Sequence, residues 1–225
     1  CAFVDGSTAY VTCVDIWDGE HLLLFVSQDL EHWERQSILH LPGWGLFNTS
    51  LCRTDDGYVL MFEVGKPPQV AGQRFTARFA TSPDLRQWCL TPDECNYSRD
   101  RYTAPHCLRY ANGWYYNFYL EAHEGYEQRV VRSRDLIRWE ASPLNPVLRA
   151  DSNDRRIARV GLDEASRQRV ATGENLNNSD VDFCEWQGRL WLTYSWGNQR
   201  GVEFLAAAQY EGTEVEFLEG WFPQA

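Results

Sequence analysis

Hydrophobic and polar positions alternate along this chain in short runs, and the runs recur about every fifty residues. At four places a turn pair precedes an aromatic-rich alternating segment: Asp5-Gly6, Asp56-Gly57, Asn112-Gly113 and Gln187-Gly188. Such pairs supply the positive φ that a tight hairpin requires, so each one joins a first strand to a second. Apolar residues at helical spacing occur in one place only, and the pattern therefore predicts an all-β chain.

A second landmark keeps nearly the same period. The phrase Ser-x-Asp-Leu-x-x-Trp occurs at 27–33, 82–88 and 133–139, with its serines 55 and 51 residues apart. Ser and Asp side chains bond nearby backbone amides in turns, and we expect the Leu to fill the sheet interior and the Trp to pack against the neighbouring sheet. Four short antiparallel strands per repeat of this length are typical of a β-propeller blade.

The repeats predict one domain, 1–225, which is a five-bladed propeller of which about four blades are present. The predicted boundaries are a partial first blade 1–45, a second blade 46–98, a third blade 99–140, an insertion 141–177 and a fourth blade 178–225. Few residues precede Gly6, so we expect the chain to begin part-way through a strand of a longer protein. The insertion contains one predicted helix, from Leu162 to about Thr172, and is either part of a binding face or a solvated charged excursion.

Charge and cysteine content exclude several classes of function. A net charge of −11 excludes nucleic acid as the expected partner, because phosphate binding needs a basic face. No run of eighteen apolar residues is present, so no membrane span is predicted. The seven cysteines show no zinc-binding spacing, and their odd number favours a reducing, cytoplasmic compartment. Four cysteines lie in predicted strands, where we expect small buried residues: Cys13, Cys52, Cys107 and Cys184.

The densest polar cluster, 175–185, leads into the predicted innermost strand of the last blade. Alternation puts Asp180 and Asp182 on one face of that strand and Val181 and Phe183 on the other. Unpaired carboxylates are costly in a core, so a site in the central channel would explain both aspartates. The structural alternative is that one aspartate caps a turn or bridges two strands.

The same register brings polar groups of the other blades to the same mouth of the predicted channel. Carboxylates, arginine, histidine and aromatic rings around a pocket suit a polyhydroxylated ligand. His106 fits either such a site or a satisfied core histidine. Glu203 is a further candidate carboxylate. Lys66 and His123 lie in the loops that follow the predicted second strands. The candidate substrate-binding residues are Asn48, Glu63, Arg101, Tyr102, His106, Glu121, Trp196 and Arg200.

Three sequence features together resemble the five-bladed propeller glycoside hydrolases of families 43 and 117 and their relatives. These features are the turn phrase, the segment Thr103-Ala104-Pro105-His106, and the segment Asn178-Ser179-Asp180-Val181-Asp182. The resemblance covers almost the whole chain and implies hydrolysis of plant or algal oligosaccharides by carboxylate general acid–base catalysis, with an oligosaccharide as the binding partner.

Carried over residue by residue, the resemblance implies Asp180 as the first catalytic candidate, with Asp182 and Glu203 as supporting carboxylates. The third blade departs from the family 43 pattern, because His106 stands near the place of an acidic residue. The family's base aspartate would lie just before Cys1. No cofactor and no metal ligand set is predicted, although some relatives hold a structural cation in the channel.

Two other functions use the same residues. A non-catalytic carbohydrate-binding propeller would need the aromatic rings but no pair of opposed carboxylates. A glycoside phosphorylase of a related propeller family would need clustered cations, for which the candidates are Lys66, Arg101 and Arg200. Sialidases fit less well, since their turn repeat carries a glycine that all three copies here lack.

Overall fold

The computed structural model describes residues 1–122 and 125–223, and these residues form sheets of short, mostly antiparallel strands. The first sheet has the order β1-β2-β3-β4. The second sheet has the order β5-β6-β7-β8, with β9 pairing to β7. The strands of these two sheets are β1 (Ala2–Asp5), β2 (Thr8–Val14), β3 (His21–Ser27), β4 (Glu34–His40), β5 (Gly45–Thr54), β6 (Gly57–Lys66), β7 (Thr76–Ser82), β8 (Cys89–Leu90) and β9 (Asn96–Tyr97).

The remaining strands follow the order β10-β11-β12-β14-β15-β16, with β13 pairing to β12. A single parallel pairing, between Tyr126 and Asn177, joins β12 to β14. The predicted all-β character is therefore confirmed, whereas the number of blades stays a prediction. These strands are β10 (His106–Ala111), β11 (Trp114–Ala122), β12 (Tyr126–Ser133), β13 (Glu140–Ala141), β14 (Asn177–Trp186), β15 (Arg189–Gly197) and β16 (Glu203–Tyr210).

By its internal contacts the chain divides into two compact units. The first unit comprises Cys1–Asn117 and Val131–Ala141, and the second comprises Phe118–Val130 and Ser142–Ala225. The division passes through β11 and β12.

The four predicted hairpins are confirmed, and the backbone conformation of each turn favours glycine. The hairpins join β1 to β2, β5 to β6, β10 to β11, and β14 to β15. The glycine of each turn has a positive φ. This conformation is least costly for glycine, because glycine has no Cβ. Asn112 and Gln187, which precede two of these glycines, also have positive φ. The four glycines are Gly6, Gly57, Gly113 and Gly188.

The turn phrase acts through the side chains that the sequence predicted. In the third copy, Ser133 Oγ accepts hydrogen bonds from the amides of Asp135 (3.2 Å) and Leu136 (2.9 Å). Asp135 Oδ1 accepts from the amides of Ile137 (2.9 Å) and Arg138 (2.8 Å). The first two copies repeat the bonds to the aspartate, and in every copy the Leu has a positive φ. The turn is therefore fixed locally by its own polar groups.

The apolar positions of the phrase differ between copies. Leu85 and Leu136 are buried as predicted, but the prediction is wrong for Leu30, whose side chain is 68% exposed and projects into solvent. Trp139 packs on Phe79 and donates its indole N–H to a carbonyl of the preceding sheet at 2.9 Å. The turn of the first copy thus forms although its Leu is exposed.

The core of the first unit lies between its first two sheets. Leu22 and Leu24 of β3 pack with Leu51 of β5 and with Leu60 and Phe62 of β6. All five side chains are almost fully buried. Alternation along β3, β5 and β6 directs these residues to the same side of each sheet.

The second unit contains a core of stacked aromatic rings. Helix α3 (Glu214–Gly220) directs Phe217 onto Phe183 of β14 and Phe118 of β11, with ring centroids 5.4 and 6.0 Å apart. Offset and edge-on contacts of this kind stabilise a core beyond simple burial. Thr213 and Glu216 form a capping box that starts the helix. The sequence prediction missed this helix, which follows β16 where a fourth strand was expected.

The insertion is partly helical. Its predicted helix is confirmed as α2 (Glu164–Thr172), and Asp163 caps the first turn. A single turn of 3₁₀ helix, Ser152–Arg155, comes before it. Apart from these two helices and α3, the described part of the chain has one further helix, α1 (Pro68–Ala71). None of the described helices has the length and apolar character that crossing a membrane requires.

The cysteine predictions are confirmed for Cys52 and Cys107, which are buried. Cys13 is half-buried. Cys184 is exposed, so its predicted burial is wrong. The alternation of β14 explains the error, because residue 184 shares the less buried face with residues 180 and 182.

We expect Ser133→Ala to destabilise the protein by about 1–3 kcal/mol, because two amides of the turn lose the buried hydroxyl that accepts from them. Urea unfolding measures the change. Ser37→Ala, on the exposed side of β4, is the control and should change the unfolding free energy little. Equal effects of the two substitutions would contradict the assigned role of the turn serine.

Candidate active site

Asp180 occupies an unusual backbone conformation within β14. Its φ is +54°, and among the described residues it is the only non-glycine residue with a positive φ inside a strand. The pairing of β14 with β15 shifts register between Ser179 and Asp182, which is a β-bulge. Bulges re-aim side chains, and backbone outliers concentrate at functional sites.

Two neighbours hold this bulge. With the Gln128 amide oriented to satisfy both of its groups, its oxygen accepts from the Asp180 amide at 3.2 Å and its nitrogen donates to the Tyr119 carbonyl at 3.1 Å. Ser179 Oγ donates to Asp180 Oδ2 at 2.7 Å. The Asp180 side chain is exposed, and Oδ1 has no donor among the residues that the structure describes. One carboxylate oxygen is thus oriented while the other is open.

Two further predicted carboxylates lie in the same unit. Asp182 is half-buried, and its Oδ1 accepts from the Phe183 amide at 2.8 Å. Glu203 begins β16, is exposed, and accepts from the Gln199 amide at 2.8 Å and from Asn177 Nδ2 at 3.5 Å. The predicted separation of Asp180 and Asp182 from Val181 and Phe183 agrees with the burial pattern, since the latter two are buried.

The insertion contributes a buried carboxylate that the sequence prediction missed. Asp154 accepts from Tyr194 Oη at 2.7 Å, from Asn175 Nδ2 at 2.7 Å and from Asn178 Nδ2 at 3.2 Å. Its Oδ2 also accepts from the Asp151 amide at 2.9 Å. Asp154 therefore ties the 3₁₀ turn of the insertion to the beginning of β14 and to β15. An acidic residue three positions after Asp151, in a capping-box pattern, was the available signal.

These hydrogen bonds determine the ionisation of Asp154. Burial, the largest single influence, favours the neutral acid, but the Asp151 amide and the side chains of Tyr194, Asn175 and Asn178 together lower the pKa below its usual value. Burial and the adjacent carboxylate raise the pKa of Tyr194, so the phenol stays protonated and continues to donate. The anion is therefore the stable partner in this network.

Trp196 and Arg200 have different environments. Trp196 is 1% exposed, its ring lies 4.5 Å from that of Phe204, and the Arg155 guanidinium lies 5.8 Å from its ring centroid. In this position Trp196 supports the site from within the core, and a direct role in binding substrate stays a prediction. Arg200 is exposed and has no ion-pair partner within the described residues.

The first unit contains a second buried network, centred on Glu63. Glu63 is 0% exposed, and its Oε1 accepts from the His106 amide at 3.0 Å and lies 2.9 Å from His106 Nδ1. Its Oε2 accepts from Asn48 Nδ2 at 3.0 Å. His106 Nε2 lies 3.1 Å from Thr103 Oγ1, so both ring nitrogens have partners. Asn48 is the exposed end of this network.

The remaining candidates lie beside these networks. Arg101 donates to Tyr97 Oη at 2.9 Å, and the edge of the Tyr97 ring meets His106. Tyr102 is 40% exposed. Glu121, in the second unit, is half-buried and accepts from Tyr119 Oη at 3.0 Å. His123 lies outside the described residues.

The predicted site residues fall into both units. The sequence expectation that they converge on one mouth stays a prediction. The first unit holds Asn48, Glu63, Arg101, Tyr102 and His106, and the second holds Glu121, Asp180, Asp182, Trp196, Arg200 and Glu203. No group of three or more His, Cys, Asp or Glu side chains suited to a metal ion is found in the described parts of the chain.

No protein-family model matches the sequence, and no curated protein matches it. Solved structures do match. The complex of BT0996 with RGII aligns with a TM-score of 0.66 and 14% identity over 94% of this chain and 66% of that one. An endo-arabinase from Bacteroides thetaiotaomicron aligns with a TM-score of 0.60 and 14% identity over 93% of this chain and 74% of that one. A family 117 glycoside hydrolase produced by the marine bacterium Zobellia galactanivorans aligns with a TM-score of 0.59 and 11% identity over 94% of this chain and 65% of that one.

These similarities confirm the resemblance to propeller glycoside hydrolases that the sequence predicted. Because the sequence identities are only 11–14%, these similarities show the fold alone. The chain spans 66% of the length of the first of these structures, slightly less than two thirds.

We expect Asp154→Asn to lower the free energy of unfolding by about 2 kcal/mol at neutral pH, because an amide cannot accept from all four donors. The folded-state pKa is depressed, so this stabilisation is present above the unfolded pKa of about 4 and is lost as the pH falls through the folded value. Denaturant unfolding between pH 7 and pH 3 should show the two proteins converging on the acid side.

The control for that series is Asp56→Asn, because Asp56 is exposed and asparagine suits the same hairpin turn before Gly57. A difference between wild type and Asp154→Asn that stayed constant down to pH 3 would mean that ionisation of Asp154 is not what stabilises the network.

We expect Glu63→Gln to destabilise the protein by about 3 kcal/mol, because it leaves donors of His106 and Asn48 facing an amide in a buried site. Urea unfolding measures the loss. Glu121→Gln, at a half-buried position, serves as the matched comparison and should cost clearly less. A Glu63→Gln protein as stable as wild type would show that the carboxylate is not needed to hold this network.

Proposed function

We propose that this chain is the scaffold of a glycoside hydrolase that cleaves plant or algal oligosaccharides by carboxylate general acid–base catalysis. Support comes from the fold, since the solved structures that share it include an endo-arabinase and a family 117 glycoside hydrolase. The observation that carries the proposal is the state of Asp180, an exposed carboxylate that a strained bulge aims out of β14.

Asp180 has the properties that a catalytic carboxyl needs. Ser179 orients one of its oxygens, and the other is open to a glycosidic oxygen or to a water molecule. A positioned carboxyl of this kind transfers a proton to or from the reacting group and contributes a rate factor of roughly 10²–10⁴. The left-handed backbone costs about 1 kcal/mol and persists only where its surroundings hold it, which the Gln128 amide does here.

Glycoside hydrolysis requires a second carboxyl. Asp182 and Glu203 are the candidates in the same unit, with Glu203 the more exposed of the two. In an inverting mechanism the two carboxyls stand roughly 6.5–9.5 Å apart, leaving room for the attacking water, and in a retaining mechanism about 5 Å apart. The stereochemistry of the product therefore reports which arrangement the protein uses.

Phosphorolysis is less well supported. It requires free cations for phosphate, but Lys66 Nζ is paired with Asp18 at 2.9 Å and Arg101 is bonded to the Tyr97 hydroxyl. Two of the three predicted cations are thus engaged, which leaves Arg200. Hydrolysis requires only water and carboxyls.

The proposal predicts hydrolysis by the purified protein of at least one member of a panel of aryl glycosides and arabinan, pectic and agar oligosaccharides. Asp180→Asn should lower kcat at least a hundredfold on that substrate, because the amide can neither donate nor accept the transferred proton. Asp56→Asn, in an exposed hairpin turn, is the control and should leave the rate within twofold.

Two results would contradict the assignment. Cleavage by Asp180→Asn at the wild-type rate would remove Asp180 from the chemistry. Binding of oligosaccharides without cleavage, equal in wild type and mutant, would instead identify a non-catalytic carbohydrate-binding protein.

A further inference from the structure

Four aromatic side chains of the first unit form a continuous row. Trp17 meets Phe47 with ring centroids 4.9 Å apart, Phe47 meets Phe75 at 4.7 Å, and Phe75 meets Tyr102 at 5.7 Å. All three contacts are edge-on, with interplanar angles between 74° and 88°. Phe47 in the middle is buried, whereas Trp17 is 73% exposed and Tyr102 is 40% exposed. The aromatic row therefore has a buried centre and two ends that face solvent.

Arg74 lies across this row. Its guanidinium carbon is 5.2 Å from the centroid of the Phe47 ring and 4.9 Å from that of Phe75. Two rings at these distances hold the guanidinium by cation–π attraction. The side chain is exposed, and in the described parts of the chain it has no carboxylate within ion-pairing distance. Arg74 thus presents a positive charge that the rings hold in place and that no described carboxylate neutralises, in a chain whose net charge is −11.

The backbone accommodates this arrangement at two positions. Phe75 has a φ of +73°, a conformation that is an outlier for a bulky residue and that turns its ring between Phe47 and Tyr102. At Gly65, a Cβ would lie 2.6 Å from Phe47 Cε2 and 3.2 Å from Arg74 Nε. Glycine at position 65 leaves the space that Phe47 and Arg74 fill.

Two residues of the aromatic row are sequence neighbours of residues in the Glu63 network. Phe47 precedes Asn48, the exposed end of that network, and Tyr102 precedes Thr103, whose hydroxyl contacts His106. Two other cations of this region already have partners, since Lys66 pairs with Asp18 and Arg101 donates to the Tyr97 hydroxyl and lies 3.4 Å from Asp100. Arg74, by contrast, pairs with no carboxylate of the described residues and is available to an anionic ligand.

We propose that the aromatic row and Arg74 form a subsite for an anionic sugar residue, one that carries a carboxylate or a sulfate ester. The apolar C–H face of a sugar ring stacks on exposed indole and phenol rings such as those of Trp17 and Tyr102. A guanidinium matches the two oxygens of a carboxylate or sulfate in a bidentate manner, which a lysine ammonium does not. This inference deepens the proposed function, on which it rests, by naming an acidic substrate class.

Isothermal titration calorimetry with three probes tests the subsite: trigalacturonate for a uronic acid, a carrageenan-type oligosaccharide for a sulfate ester, and neutral arabinotriose. We expect wild type to bind at least one acidic probe at least tenfold more tightly than arabinotriose. Arg74→Met, which keeps the apolar stem, should weaken that binding tenfold or more, and Arg74→Lys should recover only part of the loss. Arg35→Met, which removes an exposed arginine on β4, should change it less than twofold.

The acidic probe that binds identifies the source of the anion. Tight trigalacturonate binding indicates a uronic acid, and tight carrageenan-oligosaccharide binding indicates a sulfated sugar. Trp17→Ala should weaken binding of the same probe, and Trp17→Phe should restore most of it, because an aromatic face is retained. Gly65→Ala should also weaken it, since the added methyl group displaces Phe47 and Arg74.

Failure of this inference is distinguishable from failure of the proposed function. Arg74-dependent binding of an acidic probe without any cleavage would uphold the subsite and reject the hydrolase. Cleavage of neutral glycosides with no preference for acidic probes would uphold the hydrolase and reject the subsite. Binding of acidic probes that is the same in Arg74→Met as in wild type, or no binding of either acidic probe, would overturn the subsite.

Discussion

The satisfaction of two buried carboxylates is the constraint on which the candidate sites depend. A buried charge costs several kcal/mol unless it is fully hydrogen-bonded. Glu63 in the first unit meets this requirement with donors from His106 and Asn48, and Asp154 in the second unit meets it with four donors. Each carboxylate thereby holds the polar beginning of a neighbouring strand in one position. Asn48, which donates to Glu63, and the Asp180 bulge, which comes two residues after Asn178, have fixed places as a result.

This arrangement separates structural from chemical carboxylates. Glu63 and Asp154 are buried and their oxygens accept hydrogen bonds from protein groups, so they orient their neighbours, while the predicted contact of Glu63 with substrate stays a prediction. Asp180 has one oriented oxygen and one open oxygen, and it is exposed. In the proposed hydrolase the first kind supplies preorganisation and the second supplies proton transfer. The aromatic row with Arg74 would add recognition of an acidic sugar.

Local chemistry made much of the fold predictable from the sequence. The four turn pairs that end in glycine and the Ser-x-Asp-Leu turns need only neighbouring residues to form, and both are confirmed. Errors arose where the outcome depends on distant residues. Leu30 is exposed although Leu85 and Leu136, in the same local turn, are buried. Asp154 and the aromatic row were missed because their contacts are distant in sequence: the side-chain donors to Asp154 lie 21–40 residues away, and each of the three ring contacts joins residues 27–30 positions apart.

The most direct test of the central claim is a crystal structure of Asp180→Asn with an oligosaccharide that the wild-type protein cleaves or binds. We expect a glycosidic oxygen, or the water beside an anomeric carbon, within hydrogen-bonding distance of the residue 180 side chain. A sugar bound elsewhere, with the residue 180 side chain facing empty solvent, would contradict the account.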